Sequence, residues 1–198
     1  MSSVRGIIVI GVSSGGFDAL PVVIKGLPST LDLPVVIVSH RKETIGDDFL
    51  VGYLSDCCAL EVLEATQLDV VKSGRVYIAP GGFHLEINSD ETFSLNVDDF
   101  VCHVRPSIDL LFQSAAQVFG AQTIGVIMTG ANKDGAEGLV AIDNAGGKTI
   151  VQDPETAYSK NMPSAAIEFV PSCCVLQLEQ ISDAIVTASY HVLKGVNV

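Results

Sequence analysis

Four short β-branched runs, residues 7–12, 35–38, 123–128 and 148–151, are apolar almost without interruption, and amphipathic helical spacing fills much of the sequence between them. Strands apolar on both faces must be covered on both faces. The alternation therefore predicts an α/β fold: a doubly wound, mostly parallel sheet with right-handed crossovers and helices on both faces. Helical periodicity runs over 18–27, more weakly over 49–54, and most strongly over 107–119, where Ile108, Leu111, Phe112, Ala115 and Phe119 share a face. Pro106 and Ser107 are good helix openers, Gly120 a good terminator, and a last helix is expected over about 179–193. Between residues 76 and 97 the pattern changes to strict alternation, in Val76-Tyr77-Ile78, His84-Leu85-Glu86-Ile87 and Phe93-Ser94-Leu95-Asn96-Val97. With a turn at 88–91, this predicts an antiparallel β-hairpin inserted among the parallel units.

No repeat, low-complexity tract or linker divides the 198 residues, and 48% hydrophobic content is ample for one core, so residues 1–198 are expected to form a single domain. The formal charge is −12, from 11 basic and 23 acidic residues. Such a surface repels phosphate backbones and anionic lipid, which argues against nucleic-acid binding and membrane attachment. Five cysteines occur as Cys57-Cys58, Cys173-Cys174 and a lone Cys102, without the Cys-x-x-Cys spacing of zinc or redox sites. They read as idle or buried thiols of a cytoplasmic protein, and no metal or cofactor is expected. The apolar run after Arg5 is too short for a signal peptide, and no segment reaches the roughly 20 apolar residues of a membrane span.

The run at 7–12 breaks into Gly11-Val12-Ser13-Ser14-Gly15-Gly16, where Gly11, Ser13 and Gly15 fit Gly-x-Ser-x-Gly. Small residues there let a strand turn sharply into a helix and expose the serine beside free backbone amides, for catalysis or for cradling a phosphate. A serine nucleophile needs a base. Of four histidines, His40 ends the second strand and opens on the same sheet edge as Ser13; His84, His103 and His191 fall in or beside the hairpin or in the last helix. An orienting carboxylate is then required on that edge, and Asp134 follows the strand at 123–128 through the loop Thr129-Gly130-Ala131-Asn132-Lys133. Asp134-Gly135-Ala136-Glu137 also fits a capping box, in which Asp134 would bind the amides of its own helix. Amides around Gly130 and Ala131, with those after Ser13 at Ser14 and Gly15, are the candidate oxyanion donors. The order serine, histidine, aspartate is not that of α/β-hydrolases.

At this level of detail the chain resembles the catalytic domain of CheB-type chemotaxis protein-glutamate methylesterases. The motifs carrying the likeness are Ile10-Gly11-Val12-Ser13-Ser14-Gly15-Gly16, Val76-Tyr77-Ile78-Ala79-Pro80-Gly81 with His84, Arg105-Pro106-Ser107-Ile108-Asp109, and Gly125-Val126-Ile127-Met128-Thr129-Gly130 with Asp134-Gly135. The resemblance implies hydrolysis of glutamyl methyl esters on chemoreceptor helices, with glutamine deamidation as a second reaction. By position it places the nucleophile on Ser13, the base on His40 and the orienting acid on Asp134. It implies methylated cytoplasmic receptor helices as partners and, since the usual amino-terminal receiver domain is missing from this sequence, either a stand-alone esterase or one whose receiver or kinase partner is a separate chain.

The family's Gln-His-Met-Pro is here Ser39-His40-Arg41-Lys42, and its Gly-Met-Gly-x-Asp-Gly is Gly130-Ala131-Asn132-Lys133-Asp134-Gly135. The family's methionine offers a backbone N–H to the oxyanion, which Ala131 retains. Asn132 replaces a glycine, at some cost if that position needs positive φ. Arg41, Lys42 and Lys133 place cations at the expected site edge, either drawing in an acidic receptor helix or standing as solvated loop charges. Two other classes stay open: a catalytically impaired module that docks on receptor or signalling proteins, and a nucleotide-binding protein, for which the P-loop lysine and the third Rossmann glycine are both missing.

Overall fold

A computed structural model describes residues 4–40 and 49–195. Arg41 and Lys42 lie outside the described residues.

Seven parallel strands form one sheet: β1 (Ile7–Val12), β2 (Val35–Ser39), β3 (Glu61–Glu64), β4 (Arg75–Ile78), β7 (Thr123–Ile127), β8 (Lys148–Gln152) and β9 (Cys174–Leu176), in the order β3-β4-β2-β1-β7-β8-β9. A separate antiparallel pair, β5 (His84–Ile87) and β6 (Phe93–Asn96), is the expected hairpin. Val76-Tyr77-Ile78 departs from the expectation: it belongs to β4 of the parallel sheet, paired with β2 and β3. Its three residues are all buried, so the apparent alternation was that of a strand covered on both faces.

Among the described residues six α-helices pack on this sheet: α1 (Gly16–Lys25), α2 (Phe49–Ser55), α3 (Ile108–Phe119), α4 (Ala136–Asn144), α5 (Asn161–Phe169) and α6 (Ile181–Lys194). The two layers are visible along β1 itself. Ile7 and Val9 point into a core shared with Phe112 of α3 and Leu139 of α4, whereas Ile8, Ile10 and Val12 point into a core shared with Leu20 of α1 and Ile185 of α6. Apolar residues on both faces of a strand are satisfied only in this way, which confirms the doubly wound reading.

Strand order reverses beside β1: β2, β4 and β3 lie to one side, β7, β8 and β9 to the other. At such a switch point neighbouring connections leave in opposite directions and open a crevice at the carboxyl ends of the strands. Ser13 follows β1, His40 follows β2, and Asp134 lies in the loop after β7.

Candidate active site

The turn after β1 is pinned from both sides. The Ser13 N–H donates to the Thr129 carbonyl at 2.9 Å, and the His40 N–H donates to the Val12 carbonyl at 3.1 Å, so the ends of β7 and β2 hold the chain on either side of Ser13. Thr129 adds a side-chain bond, its hydroxyl donating to the Ser14 carbonyl at 2.7 Å. Gly15 then takes φ 86°, a left-handed conformation that costs an L side chain on the order of 1–2 kcal/mol, and α1 begins at the next residue. A Cβ on Gly15 would lie 2.5 Å from Cβ of Tyr158, whose side chain stands over the turn. Ser13 is half-buried and Ser14 exposed.

His40 Nε2 bonds Asp134 Oδ2 at 2.8 Å, with side chains only 8% and 0% exposed. Asp134 is held from three further directions: Ser107 Oγ donates to Oδ1 at 2.8 Å, the Ile108 N–H to Oδ2 at 2.6 Å and the Asp109 N–H to Oδ1 at 3.3 Å. Burial alone would disfavour the anion, yet the bonds from His40, Ile108 and Ser107 outweigh it and hold the Asp134 carboxyl below its ordinary range. An ionised Asp134 only accepts, so Nε2 of His40 carries the proton and the lone pair of the neutral ring sits on Nδ1. That Nδ1 is buried and has no hydrogen-bond partner among the described residues. Ser13 Oγ is therefore not bonded to it here, and serine–histidine bonds at such sites commonly tighten only with substrate in place.

Asp134 does not cap its own helix. The N-cap position of α4 is Gly135, without a side-chain cap, and the Gly135 and Gly138 amides donate instead to Oδ1 of Asp109 at 2.9 and 2.7 Å. The alternative capping-box reading of Asp134 thus gives way to a swap in which Asp134 caps α3 and Asp109 caps α4. The exchange requires the two helices to run close: a Cβ on Gly138 would lie 2.5 Å from Cβ of Phe112 in α3. The start of α3 is fixed further by His84, wholly buried, whose Nδ1 accepts the Ser107 N–H at 3.1 Å while Nε2 reaches the Asp99 carbonyl at 3.1 Å. Accepting at Nδ1 makes His84 a neutral ring protonated on Nε2, a satisfied core histidine.

Of the expected oxyanion donors, the Gly130 N–H is already taken by the Ser159 carbonyl at 3.0 Å. The N–H groups of Gly15 and Ala131 have no acceptor among the described residues. Asn132 is not among the residues of positive φ, so it replaces glycine without backbone strain; its Oδ1 accepts the Asp134 N–H at 3.3 Å. Lys133 is exposed. Cys102 sits in a tight turn, Val101 to Val104, in which Cys102 and His103 take φ 49° and 65°. Its sulfur and one oxygen each of Asp109 and Asp134 lie within 4.8 Å of one another. Burial, and then the charges of Asp134 and Asp109, push the Cys102 thiol up, and both oxygens of Asp134 and Oδ1 of Asp109 are engaged by N–H and O–H donors, so this cluster reads as a hydrogen-bonded hub.

Residues 8–185 match the family model of the CheB methylesterase. The chain belongs to the CheB methylesterase family. The crystal structure of the Thermotoga maritima CheB methylesterase catalytic domain is similar to it with a TM-score of 0.88 at 35% identity, covering 94% of this chain and 99% of that one. A Clostridium acetobutylicum protein named protein-glutamate methylesterase/protein-glutamine glutaminase is 36% identical over 179 residues, covering 90% of this chain and 52% of its own length. A Leptospira interrogans protein that carries the same name provisionally is 44% identical over 177 residues, covering 89% of this chain and 91% of its own. This CheB-family chain thus spans nearly the length of the Leptospira relative and about half that of the Clostridium one. No described helix is long and apolar enough to cross a membrane.

Sequence reasoning missed the roles of Ser107, Asp109, Thr129 and His84 as supports. For Asp109 a signal existed: it lies three residues before Phe112, on the apolar stripe of α3, where a carboxylate needs a buried partner.

Proposed function

We propose that this chain is a serine-type protein-glutamate methylesterase that hydrolyses γ-glutamyl methyl esters on chemoreceptor helices, with deamidation of receptor glutamines as a related reaction. Residues 1–198 are read as one catalytic domain, and a separate receiver or kinase protein as its signalling partner. The observation that carries the reading is the buried His40–Asp134 bond, which leaves an imidazole nitrogen with no partner among the described residues at the sheet edge where Ser13 turns out of β1.

In this mechanism Nδ1 of His40 takes the Ser13 proton as Oγ attacks the ester carbonyl, and Asp134 stabilises the imidazolium that forms. The carbonyl oxygen becomes an oxyanion that the free N–H groups of Gly15 and Ala131 can receive. Collapse expels methoxide, which takes the proton from His40 and leaves as methanol. Water, deprotonated by the same nitrogen, then attacks the acyl-enzyme, freeing the glutamate carboxylate and returning the proton to Ser13. A neutral ester suits a strongly acidic protein, and its anionic product is repelled by the same charge.

Methanol release from methylated receptor membranes tests the reading: the wild-type protein releases methanol, and Ser13→Ala loses the activity by at least about 10³-fold. Unchanged release by Ser13→Ala rejects the nucleophile. A wild-type protein that binds receptor complexes yet releases no methanol favours the docking module instead.

A further inference from the structure

Two buried carboxyl groups meet at this site, but only one of them has a basic partner. Asp134 faces His40, whereas Asp109, 4% exposed, has no cation bonded to it among the described residues. Its Oδ1 accepts two amides of α4, its own backbone N–H reaches Asp134, and its carboxyl lies within 4.8 Å of the Asp134 carboxyl and the Cys102 sulfur. Among the described residues, Lys133 and Glu137, on the exposed loop and first turn of α4, also act on Cys102 of this hub, and His84 stands behind Ser107. Two adjacent anions sharing one buried pocket repel each other strongly, and the cheapest relief is a proton on the one without a counter-charge.

We propose that Asp109 is a positioning residue of the site: it anchors the Asp134 loop through the two amides of α4, and it carries a proton that lets its carboxyl stand against Asp134 without driving Asp134 off His40. The inference rests on the proposed catalytic role of His40 and Asp134. Burial, the largest influence, pushes the Asp109 carboxyl up to about 7, with the Asp134 charge adding to it against the opposing amide bonds of Gly138 and Gly135. Above neutrality Asp109 ionises, its charge repels Asp134, and the His40–Asp134 bond weakens. The site then loses activity on the alkaline side through a group that never touches substrate.

Asp109→Asn separates the two roles. Its amide oxygen accepts the Gly135 and Gly138 N–H groups as before, and its NH2 imitates the protonated carboxyl at every pH. Asp109→Ala removes both. The direct readout is the downfield His40 Nε2–H proton in 15N-histidine-labelled protein, followed from pH 5.5 to 9. In the wild type it is lost as pH passes about 7, and in Asp109→Asn it persists to pH 9. Loss at the same pH in both, or persistence in both, overturns the proposal. In methanol release, the wild type declines above pH 7 and Asp109→Asn does not, while at pH 6 Asp109→Asn recovers most of a fall of about 10²-fold in Asp109→Ala. A shared alkaline decline overturns it equally. Absence of methanol from the wild type at every pH overturns the esterase reading alone, and the histidine proton still decides the role of Asp109.

Discussion

Asp134 and Asp109 cap each other's helices: the Asp134 carboxylate receives the first amides of α3, and Asp109, in the first turn of α3, receives the first amides of α4. An aspartate that caps its own helix points back along it. Relieved of that task, Asp134 turns across the sheet edge to His40, and the helix amides that stabilise its charge belong to an element already locked by His84 and the close packing of α3 on α4. The swap joins fold stability to the orientation of His40, the proposed base.

Asp134→Asn should therefore harm both. The variant keeps one acceptor but turns an NH2 towards donors that need acceptors, leaving at least one of His40 Nε2–H, Ser107 O–H and Ile108 N–H unsatisfied. A buried donor without a partner costs about 1–3 kcal/mol, and loss of the fixed tautomer costs on the order of 10³–10⁴ in kcat. Thermal melting and esterase kinetics on the same preparation check this. A rate loss with an unchanged Tm would separate the two functions that the geometry joins.

The dependence of stability on pH has a definite sign. With Asp109 raised to about 7 in the folded chain, and near 3.9 when unfolded, the native state holds an extra proton between those values. The contribution of this group to stability is full below about pH 4 and is lost as pH rises through 7. Asp134 acts oppositely, since its depressed value supports the fold above pH 4 and loses that support on acidification. Replacing Asp109 with Asn removes only the first effect. The Tm of Asp109→Asn relative to wild type should climb between pH 4 and 7, by about 5 °C or more, then level off. A difference independent of pH would mean that Asp109 is ionised throughout.

Gly15→Ala should distort the serine turn twice over, through φ 86° and through a Cβ 2.5 Å from that of Tyr158. The expected result is a loss of about 1–3 kcal/mol in stability and more than about tenfold in rate. Combining it with Tyr158→Gly relieves the contact but not the conformation, so the double variant recovers part of the loss. Full recovery would show that left-handed backbone at Gly15 is unimportant.

The layered sheet was legible because its central strands are apolar on both faces, a pattern few other folds require. Ser13, His40 and Asp134 were legible as strand-end residues on one edge. The edge strands β3 and β9 were not, since Glu61–Glu64 alternates with charge and Cys174–Leu176 is three residues long and largely exposed. Nor was the cap swap. Asp-Gly-Ala-Glu before a helix is a sound local signal for self-capping, and only the arrival of α3, brought alongside α4 by the order of β1 and β7, supplies the competing donors. The concern over Asn132 dissolved for a similar reason, because backbone φ at that position is set by the surrounding loop and not by what the family places there.

The central claim is that Ser13 is the nucleophile and His40 its activator. A fluorophosphonate ester, which phosphonylates serines that a neighbouring base has activated, tests it most directly when the modified peptide is located by mass spectrometry. A single adduct on Ser13 is expected, slowed by at least about 10²-fold in His40→Ala and absent in Ser13→Ala. An adduct on Ser14, or labelling of Ser13 at the same rate without His40, would contradict it.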